Sequence, residues 1–262
     1  MDCGFGFGHP YVGGDEEFYS ILHEQKGYPG WKWDFDYARN KINASSGSGK
    51  LLDVGAGEGQ FLVRMKENFE CFALEGSETT RNELKSKGIT VFADVTEAVE
   101  QYPGKFDYVT VFQVLEHLSD FRDLLSACKR LLKPGGNIIL TVPDCDAMIL
   151  QEIVTGCADM PPNHINKWTP NSLKIALNEA GFKTSTAIRQ PDSYANITGA
   201  LHLKLIHDAT RKNTLASQVY KLRDKRVRVP FLALLAIPAL LKMAFSFSKL
   251  RKGGSFAISG IA

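Results

Sequence analysis

The sequence predicts a doubly wound α/β fold, in which helices cover both faces of a mostly parallel sheet of seven strands. Short apolar runs alternate with segments of helical periodicity along residues 50–190, and this alternation is typical of parallel sheets. The first of these runs, residues 51–54, ends in a glycine-rich turn of the kind that follows a buried strand.

The expected elements are placed by these runs and by the residues that end them. Helices are expected at 16–25 and 33–42, and residues 43–49 form a flexible joint. Gly88, Gly181 and the sequence Lys133-Pro-Gly-Gly end later helices. The expected strands are 50–54, 70–74, 90–93, 106–112, 137–142, 182–189 and 255–261, and the expected helices of the sheet region are 61–68, 79–87, 124–132 and 171–180.

The domain organisation follows from where the alternation of strands and helices begins and ends. Residues 1–49 are aromatic and irregular, and we expect them to form a segment that covers the ligand site. Residues 50–262 are expected to form one sheet-based domain. Two or more helices at 199–250 are expected as an insertion before the last strand, rather than as a separate domain.

Composition narrows the class of protein. The chain has 262 residues, of which 44% are hydrophobic and 23% charged, with a formal net charge of +2. These values are ordinary for a soluble globular protein and give no case for nucleic-acid binding, which favours clustered basic surface. The five cysteines form no CxxC pair, and the first residues do not resemble a signal peptide. We therefore expect free thiols and a cytoplasmic protein.

The turn after the first strand carries the ligand-binding signal. Asp53 ends the strand, and Gly55, Gly57 and Gly59 follow at alternate positions. Glycine allows unusual backbone angles and lets a ligand approach the main chain closely, and ligands of parallel sheets bind beyond the carboxyl ends of the strands. A carboxylate at this point repels a dinucleotide pyrophosphate and attracts a cationic, amine-bearing ligand.

Two further strand ends carry carboxylates. Glu75 ends the second strand at the spacing from which an acidic side chain can accept hydrogen bonds from ribose hydroxyls. Asp94 ends the third strand, where it can meet an adenine amino group. Each carboxylate alone is equally explained as a helix N-cap or a solvated loop residue, but the three together with the glycines favour a nucleoside-containing ligand.

These segments resemble a known family. The segments LLDVGAGEGQF, ALEGSE, FADV, FDYVTVFQVLEHLSDFRDLL and LLKPGGNIILTVP occur in the family's order over residues 50–190. In them the chain resembles the class I S-adenosylmethionine-dependent methyltransferases, whose fold is Rossmann-like. Within this class it resembles the small-molecule branch similar to ubiquinone-biosynthesis O-methyltransferases and glycan or sugar methyltransferases.

The resemblance implies S-adenosylmethionine as the cofactor and a set of residues that bind it. Asp53, Gly55 and Gly57 would line its methionine part, and Glu75 its ribose. The adenine would lie between Asp94 and Val95, and Gln113 would lie beside the donor.

Two histidines are candidates for a catalytic base. His117 follows the fourth strand at the mouth of the expected site, and His164 lies in a segment that faces the acceptor pocket in the family. Either imidazole can take a proton from an acceptor hydroxyl, although His117 is also explained as a residue that only caps or packs the loop. No metal is expected, because the histidines lack ligand-like spacing and Cys3 is the only cysteine of a segment that resembles the end of a zinc ribbon.

Other segments leave alternatives open. The aromatic residues at 31–37 either pack as a lid or stack on the acceptor. The apolar segment 230–247, with basic residues on both sides, is expected to be a buried cap over the acceptor pocket or a helix on a membrane surface, and a spanning helix is disfavoured by Pro238 and Lys242. The expected partner is a small-molecule or glycan acceptor, which can be lipid-linked, and the protein can lie peripherally at the inner membrane face.

The expected function is methyl transfer to such an acceptor, most readily at oxygen. One rival is a nicotinamide-dependent oxidoreductase. The absence of a G-x-G-x-x-G turn and the presence of Asp53 both argue against it. A second is a module that binds the donor without catalysis, and a third is methylation of nucleic acid or protein. The three strand-end carboxylates argue against the second, and the lack of an RNA-binding appendage or basic surface argues against the third.

Overall fold

The structure is a computed structural model that describes residues 3–15, 18, 30–45 and 48–262. The helix expected at 16–25 lies outside the described residues apart from Phe18, and so does the middle of the joint expected at 43–49. The chain divides into two compact units. The first consists of residues 1–143, 160–188 and 256–262, and the second of residues 144–159 and 189–255.

The elements of the first unit, in chain order, are β1 (Gly6–Phe7), α1 (Trp33–Asn43), β2 (Gly49–Val54), α2 (Gln60–Met65), β3 (Phe69–Leu74), α3 (Glu78–Ser86), β4 (Thr90–Phe92), α4 (Val95–Gln101), β5 (Phe106–Phe112), a 3₁₀ turn (Leu115–His117), α5 (Phe121–Leu131), β6 (Leu132–Pro143), β7 (Asn166–Lys167), α7 (Pro170–Glu179), β8 (Lys183–Thr184) and β10 (Ser255–Ile261), whose first residue belongs to the second unit. The elements that follow β6 and β8 outside this unit are α6 (Cys145–Thr155), β9 (Ile188–Arg189, at the boundary), α8 (Tyr194–Thr210), α9 (Leu215–Tyr220), α10 (Lys225–Met243), a 3₁₀ turn (Ala244–Ser246) and α11 (Phe247–Leu250).

The central sheet confirms the predicted fold class. Its strands lie in the order β4-β3-β2-β5-β6-β10-β8. β2 runs parallel to both β3 and β5, β3 is parallel to β4, and β5 is parallel to β6, while β10 and β8 are antiparallel. The carboxyl ends of four adjacent parallel strands, β4, β3, β2 and β5, therefore meet at one edge of the sheet.

Two hydrophobic clusters pack against opposite faces of this sheet. Leu52 and Val54 of β2 belong to one cluster, whereas Leu51 belongs to the other. This division follows from the two-residue period of a strand, whose successive side chains point to opposite faces. Because both faces of the strand are covered, β2 is buried from Leu51 to Val54, and Asp53 alone interrupts its apolar run in the sequence.

Several elements differ from the sequence-based expectation. β6 begins at Leu132 rather than at residue 137, because Leu132 pairs with Phe106 of β5 and the intervening Lys133-Pro-Gly-Gly segment forms an irregularity inside the strand. The strand expected at 182–189 consists of two short pieces, β8 and β9. Helices α4 and α6 were not expected. Each begins at an aspartate, Asp94 or Asp144, whose side chain accepts hydrogen bonds from backbone N–H groups of the first turn.

The second unit is helical. Its hydrophobic cluster is formed by Ile197 and Ala200 of α8, Met243 of α10 and Leu250 of α11. Asp144 is buried there and forms an ion pair with Arg189, their closest atoms 2.5 Å apart. The helices expected at 199–250 are present as α8 to α11, while the assignment of this region to an insertion stays a prediction.

Candidate functional site

The turn after β2 places backbone, rather than side chains, at the carboxyl edge of the sheet. Gly55 and Gly57 have φ angles of +70° and +51°, which L-residues with side chains rarely adopt. A Cβ on Gly55 would lie 2.6 Å from Cγ2 of Val114, so this glycine lets the turn contact the loop after β5. A Cβ on Gly57 would meet no protein atom within 4 Å, so the space in front of it is open to a ligand.

Asp53 is a buried carboxylic acid beneath this turn. Its side chain is 2% exposed, and its Oδ1 accepts a hydrogen bond of 2.7 Å from Oγ1 of Thr110 on β5. The pKa of Asp53 is raised to about 8, chiefly by burial and in part by the negative charges of Asp34 and Glu75, although the hydrogen bond from Thr110 opposes the shift. A cation bound nearby would favour the ionised form of this carboxyl group, and its role in binding the methionine part of the cofactor stays a prediction.

Asp34 is a second buried carboxyl group, which was not among the predicted site residues. It lies in the first turn of α1 and is 1% exposed. Burial raises its pKa, while its Oδ1 accepts a hydrogen bond from the N–H of Phe35 and its Oδ2 accepts one of 3.2 Å from Oγ1 of Thr141. Its sequence signal is the spacing Asp34, Ala38, Ile42, which puts the carboxyl on the buried face of the helix.

Glu75 connects the ends of β2 and β3. Its Oε2 accepts a hydrogen bond of 2.9 Å from the N–H of Gly57, and its Oε1 accepts one of 3.1 Å from the N–H of Ser77. The side chain is half-buried. The carboxylate is thereby held next to the open space in front of Gly57, and its ribose-binding role stays a prediction.

Asp94 and Val95 follow β4 at the same edge of the sheet. Asp94 is exposed, and its Oδ1 accepts a hydrogen bond of 3.0 Å from the N–H of Glu97 at the start of α4. Glu97 in turn accepts one of 3.0 Å from the N–H of Ala93. The N-cap alternative therefore describes the contact that Asp94 makes, and its adenine-binding role stays a prediction.

Gln113 lies directly after β5 with a φ angle of +56°, in the left-handed region. Its N–H donates to the carbonyl oxygen of Thr141 over 2.9 Å, and its Nε2 donates to Oγ1 of Thr141 over 3.2 Å. Since Thr141 also donates to Asp34, a hydrogen-bonded chain joins Gln113 to the buried carboxyl group of α1. An unusual backbone conformation fixed in this way is typical of functional positions.

His117 is one of the two candidates for a base. Its Nδ1 lies 2.7 Å from the carbonyl oxygen of Asn163. A carbonyl oxygen can only accept a hydrogen bond, so Nδ1 carries the proton and Nε2 of the neutral imidazole is an acceptor. The ring is half-buried and belongs to the 3₁₀ turn that begins three residues after β5 ends.

The structure brings His164 next to His117, although 47 positions separate them in the chain. Their ring centroids are 4.7 Å apart. One ligand atom from each histidine and one from buried Glu116 lie within 4.8 Å of one another, so this donor set can hold a metal ion. Spacing along the chain does not reveal this cluster, because His164 is distant in sequence from Glu116 and His117; the absence of a metal requirement stays a prediction.

The N-terminal segment contacts the part of the chain that carries His117 and His164. β1 pairs antiparallel with β7, and Oη of Tyr11 donates a hydrogen bond of 2.7 Å to Oδ1 of Asn166. Buried Asn166 donates to the carbonyl oxygens of Leu115 and Leu118, on either side of His117. Tyr11 and Asn166 were not predicted, because each acts through contacts that are remote in sequence.

The aromatic residues before β2 pack largely on one another and on α2. The ring of Phe35 lies 5.5 Å from that of Phe61 and 5.0 Å from that of Phe112, measured between centroids. Trp33 lies 6.3 Å from Tyr37, and the guanidinium of Arg64 lies 3.8 Å from the ring centroid of Trp31. These contacts are those of packing, one of the two alternatives that the sequence left open.

Comparisons with known proteins place these features in context. The family described as Methyltransferase domain matches residues 31–187. The Ubiquinone biosynthesis O-methyltransferase of Methylococcus capsulatus is 31% identical over 177 residues, which cover 59% of this chain and 70% of that protein. The protein of the same name from Dechloromonas aromatica is 34% identical over 107 residues, 35% of this chain, so this chain spans only 43% of that relative's length.

Solved structures share the fold. A SAM dependent methyltransferase from Archaeoglobus fulgidus gives a TM-score of 0.56 at 17% identity, covering 94% of this chain and 100% of that chain. Phosphoethanolamine N-methyltransferase 2 of Haemonchus contortus, solved in complex with S-adenosyl-L-methionine, gives a TM-score of 0.53 at 16% identity, covering 93% of this chain and 56% of that chain. At such identities the likeness establishes a Rossmann-like fold and nothing finer.

Proposed function

The chain belongs to the Methyltransferase domain family and is an S-adenosylmethionine-dependent methyltransferase, and we propose that it methylates a hydroxyl oxygen of a small-molecule acceptor. Two relatives named as O-methyltransferases support oxygen as the acceptor atom. The observation that carries the proposal is His117, whose Nδ1–H is fixed by the carbonyl oxygen of Asn163 and whose Nε2 can therefore accept a proton.

The residues at the sheet edge fit the cofactor by their chemistry. S-adenosylmethionine supplies an electrophilic methyl group carried on a positively charged sulfur. Asp53 and Asp34 place two carboxyl groups in a buried environment that a cationic ligand would ionise. Gly57 offers open space next to its backbone, and Glu75 presents carboxylate oxygens beside it that can accept from ribose hydroxyls.

The residues after β5 suit an acceptor hydroxyl. His117 Nε2 takes the hydroxyl proton as the oxygen takes up the methyl group, so the bond to the sulfur breaks while the O–H proton moves to the imidazole. Asn166 binds the carbonyl oxygens on both sides of the turn that carries His117, which holds this turn in place. Orientation of the hydroxyl contributes most of the remaining rate enhancement, because the methyl donor is already reactive.

Isotope labelling tests this proposal. The enzyme is incubated with S-adenosylmethionine that carries a trideuteriomethyl group and with panels of small phenols, alcohols, amines, sugars and short glycans. We expect mass spectrometry to find the label on the oxygen of a small phenol or alcohol, because His117 provides a base for that proton. Label found on sugars or glycans only, or on nitrogen or carbon only, would contradict the proposed acceptor while leaving the methyltransferase assignment intact.

A further inference from the structure

Helix α10 exposes an apolar surface of a kind that is unusual for a helix in water. The exposed apolar side chains of α10 recur three or four residues apart, and the last of them lies in the following 3₁₀ turn. This spacing puts them on one side of the helix. Their exposure ranges from 44% at Val227 to 97% at Phe245. This apolar stripe consists of Val227, Phe231, Leu234, Ile237, Leu241 and Phe245.

The opposite side of α10 is anchored within its own unit. Ala239 and Met243 are buried, and Met243 belongs to the cluster formed with Ile197, Ala200 and Leu250. The helix therefore has one face that is covered by protein and one that is not. An uncovered apolar face of this length needs a partner, since water solvates it poorly.

Charge indicates what that partner is. Nine basic residues and one acidic residue, Asp224, lie between positions 221 and 252. Seven of the basic residues lie before or after the apolar stripe, and two, Arg228 and Lys242, lie within it next to Val227 and Leu241. All of them except half-buried Arg228 are exposed. The basic residues are Lys221, Arg223, Lys225, Arg226, Arg228, Lys242, Lys249, Arg251 and Lys252. An apolar face with basic flanks is complementary to an anionic lipid surface.

The length of the uncharged run distinguishes a helix lying on a membrane from one crossing it. Residues 225–250 form one helical stretch that is long and apolar enough to span, since an 18-residue window within it has a mean hydropathy of 1.9. The run without charges, however, covers only residues 229–241. At about 1.5 Å per residue it extends about 20 Å, short of the roughly 30 Å hydrocarbon core. Together with the anchored face, this length favours an orientation in the membrane plane.

We propose that α10 docks on an anionic membrane surface, with its axis in the membrane plane and its apolar stripe in the boundary between headgroups and acyl chains. The flanking lysines and arginines contact the phosphates of acidic lipids. This inference rests on the second unit alone and does not depend on the identity of the methyl acceptor.

Co-sedimentation with vesicles tests the docking. The full chain is mixed with vesicles of phosphatidylcholine, with and without phosphatidylglycerol. We expect sedimentation with the anionic vesicles and its loss at high salt, because salt screens the basic flanks. The variant Phe231→Ser/Leu234→Ser/Leu241→Ser should bind at least about tenfold more weakly. The matched control Val63→Ser/Ile175→Ser replaces apolar residues of the first unit that are 45% and 37% exposed, and it should bind like the wild type.

Orientation is measured with tryptophans introduced singly as Phe231→Trp, Ile237→Trp and Phe245→Trp, and quenched by brominated lipids after subtraction of the wild-type signal. Similar, shallow depths for all three would support the in-plane orientation, whereas a much deeper position for Ile237→Trp alone would overturn it in favour of a span. The proposal is also overturned if the wild type ignores anionic vesicles at low salt. A dimer that the triple serine variant converts into a monomer, without vesicle binding, would assign the stripe to a second copy of the chain.

Discussion

Replacing Asp53 by asparagine is expected to weaken S-adenosylmethionine binding and to remove most of its pH dependence. In the wild type the pKa of Asp53 is about 8, so the residue is protonated at lower pH and must release its proton when a cation binds beside it. Affinity should therefore rise by up to about tenfold per pH unit as the pH increases towards 8. The asparagine variant cannot ionise and should bind more weakly by roughly 1–3 kcal/mol at pH 8.

Calorimetry at several pH values, in buffers of different ionisation enthalpy, measures both the affinity and the proton release. The cofactor has an amino group that titrates as well, so the informative quantity is the difference between the wild type and Asp53→Asn. Glu75→Gln is the comparison variant: it keeps Asp53 but removes a charge that raises the pKa of Asp53, so its affinity should still depend on pH, with the dependence moved to lower pH. Equal pH dependence in the wild type and Asp53→Asn would show that Asp53 does not sense the cofactor's charge.

The same substitution should stabilise the unliganded protein at high pH. The folded-state pKa of Asp53 is raised above its ordinary value, so the folded protein binds more protons than the unfolded chain between about pH 4 and pH 8. Wild-type stability contributed by this residue is therefore lost as the pH rises through that window. The melting temperature of Asp53→Asn relative to the wild type should increase from pH 5 to pH 8, and a constant difference would contradict a raised pKa.

Replacing His117 by glutamine should lower kcat at least about 100-fold while leaving cofactor affinity unchanged, because general-base catalysis is lost and the donor site is untouched. His164→Gln is the matched control, since the two rings are neighbours. It should retain much more activity than His117→Gln, because the hydrogen bond to Asn163 orients His117. Turnover is measured with the acceptor that isotope labelling identifies.

The chelator experiment separates this role from metal binding. If His117 acts as a base, wild-type turnover should be the same with and without EDTA. Loss of turnover in EDTA, restored by a divalent cation, would instead show that Glu116, His117 and His164 hold a metal ion. Full activity in both glutamine variants would leave orientation of the acceptor as the main contribution of this region.

The sequence predicts those parts of the fold whose signal is local. The strands at 106–112 and 255–261 have the expected bounds, and β2 begins one residue before the expected strand. All are buried in a sheet covered on both faces, so their residues form apolar runs that few other structures produce. The expected helices of the sheet region are likewise present, with ends shifted by up to three residues.

The missed elements depend on tertiary contacts or on caps. The pairing of Leu132 with Phe106 extends β6 through a Pro-Gly-Gly segment that is otherwise a turn signal. Asp94 was interpreted as a ligand-binding carboxylate, and the helix that it caps was therefore missed. In contrast, the N-cap at Asp144 and the left-handed Gly156 that ends α6 are sequence signals that could have identified that helix.

The features of the candidate site were likewise predictable where their signal is local and not where they depend on tertiary contacts. Asp53, Gly55, Gly57 and Glu75 lie in motifs read from contiguous residues, and the structure brings them together at one edge of the sheet. The contacts that set their chemistry were not predictable. Thr110 approaches Asp53 across the β2–β5 pair, and Asp34 reaches Thr141 from 107 positions away. Single-sequence patterns carry no information on such pairs.

The most direct test of the account is calorimetric titration of the wild-type protein with three ligands: S-adenosylmethionine, S-adenosylhomocysteine and NAD. Because the open glycine turn and the strand-end carboxylates suit an amine-bearing nucleoside and repel a pyrophosphate, S-adenosylmethionine and S-adenosylhomocysteine should each bind at one site per chain, and NAD should not bind. Binding of NAD together with no detectable binding of either sulfur ligand would contradict it.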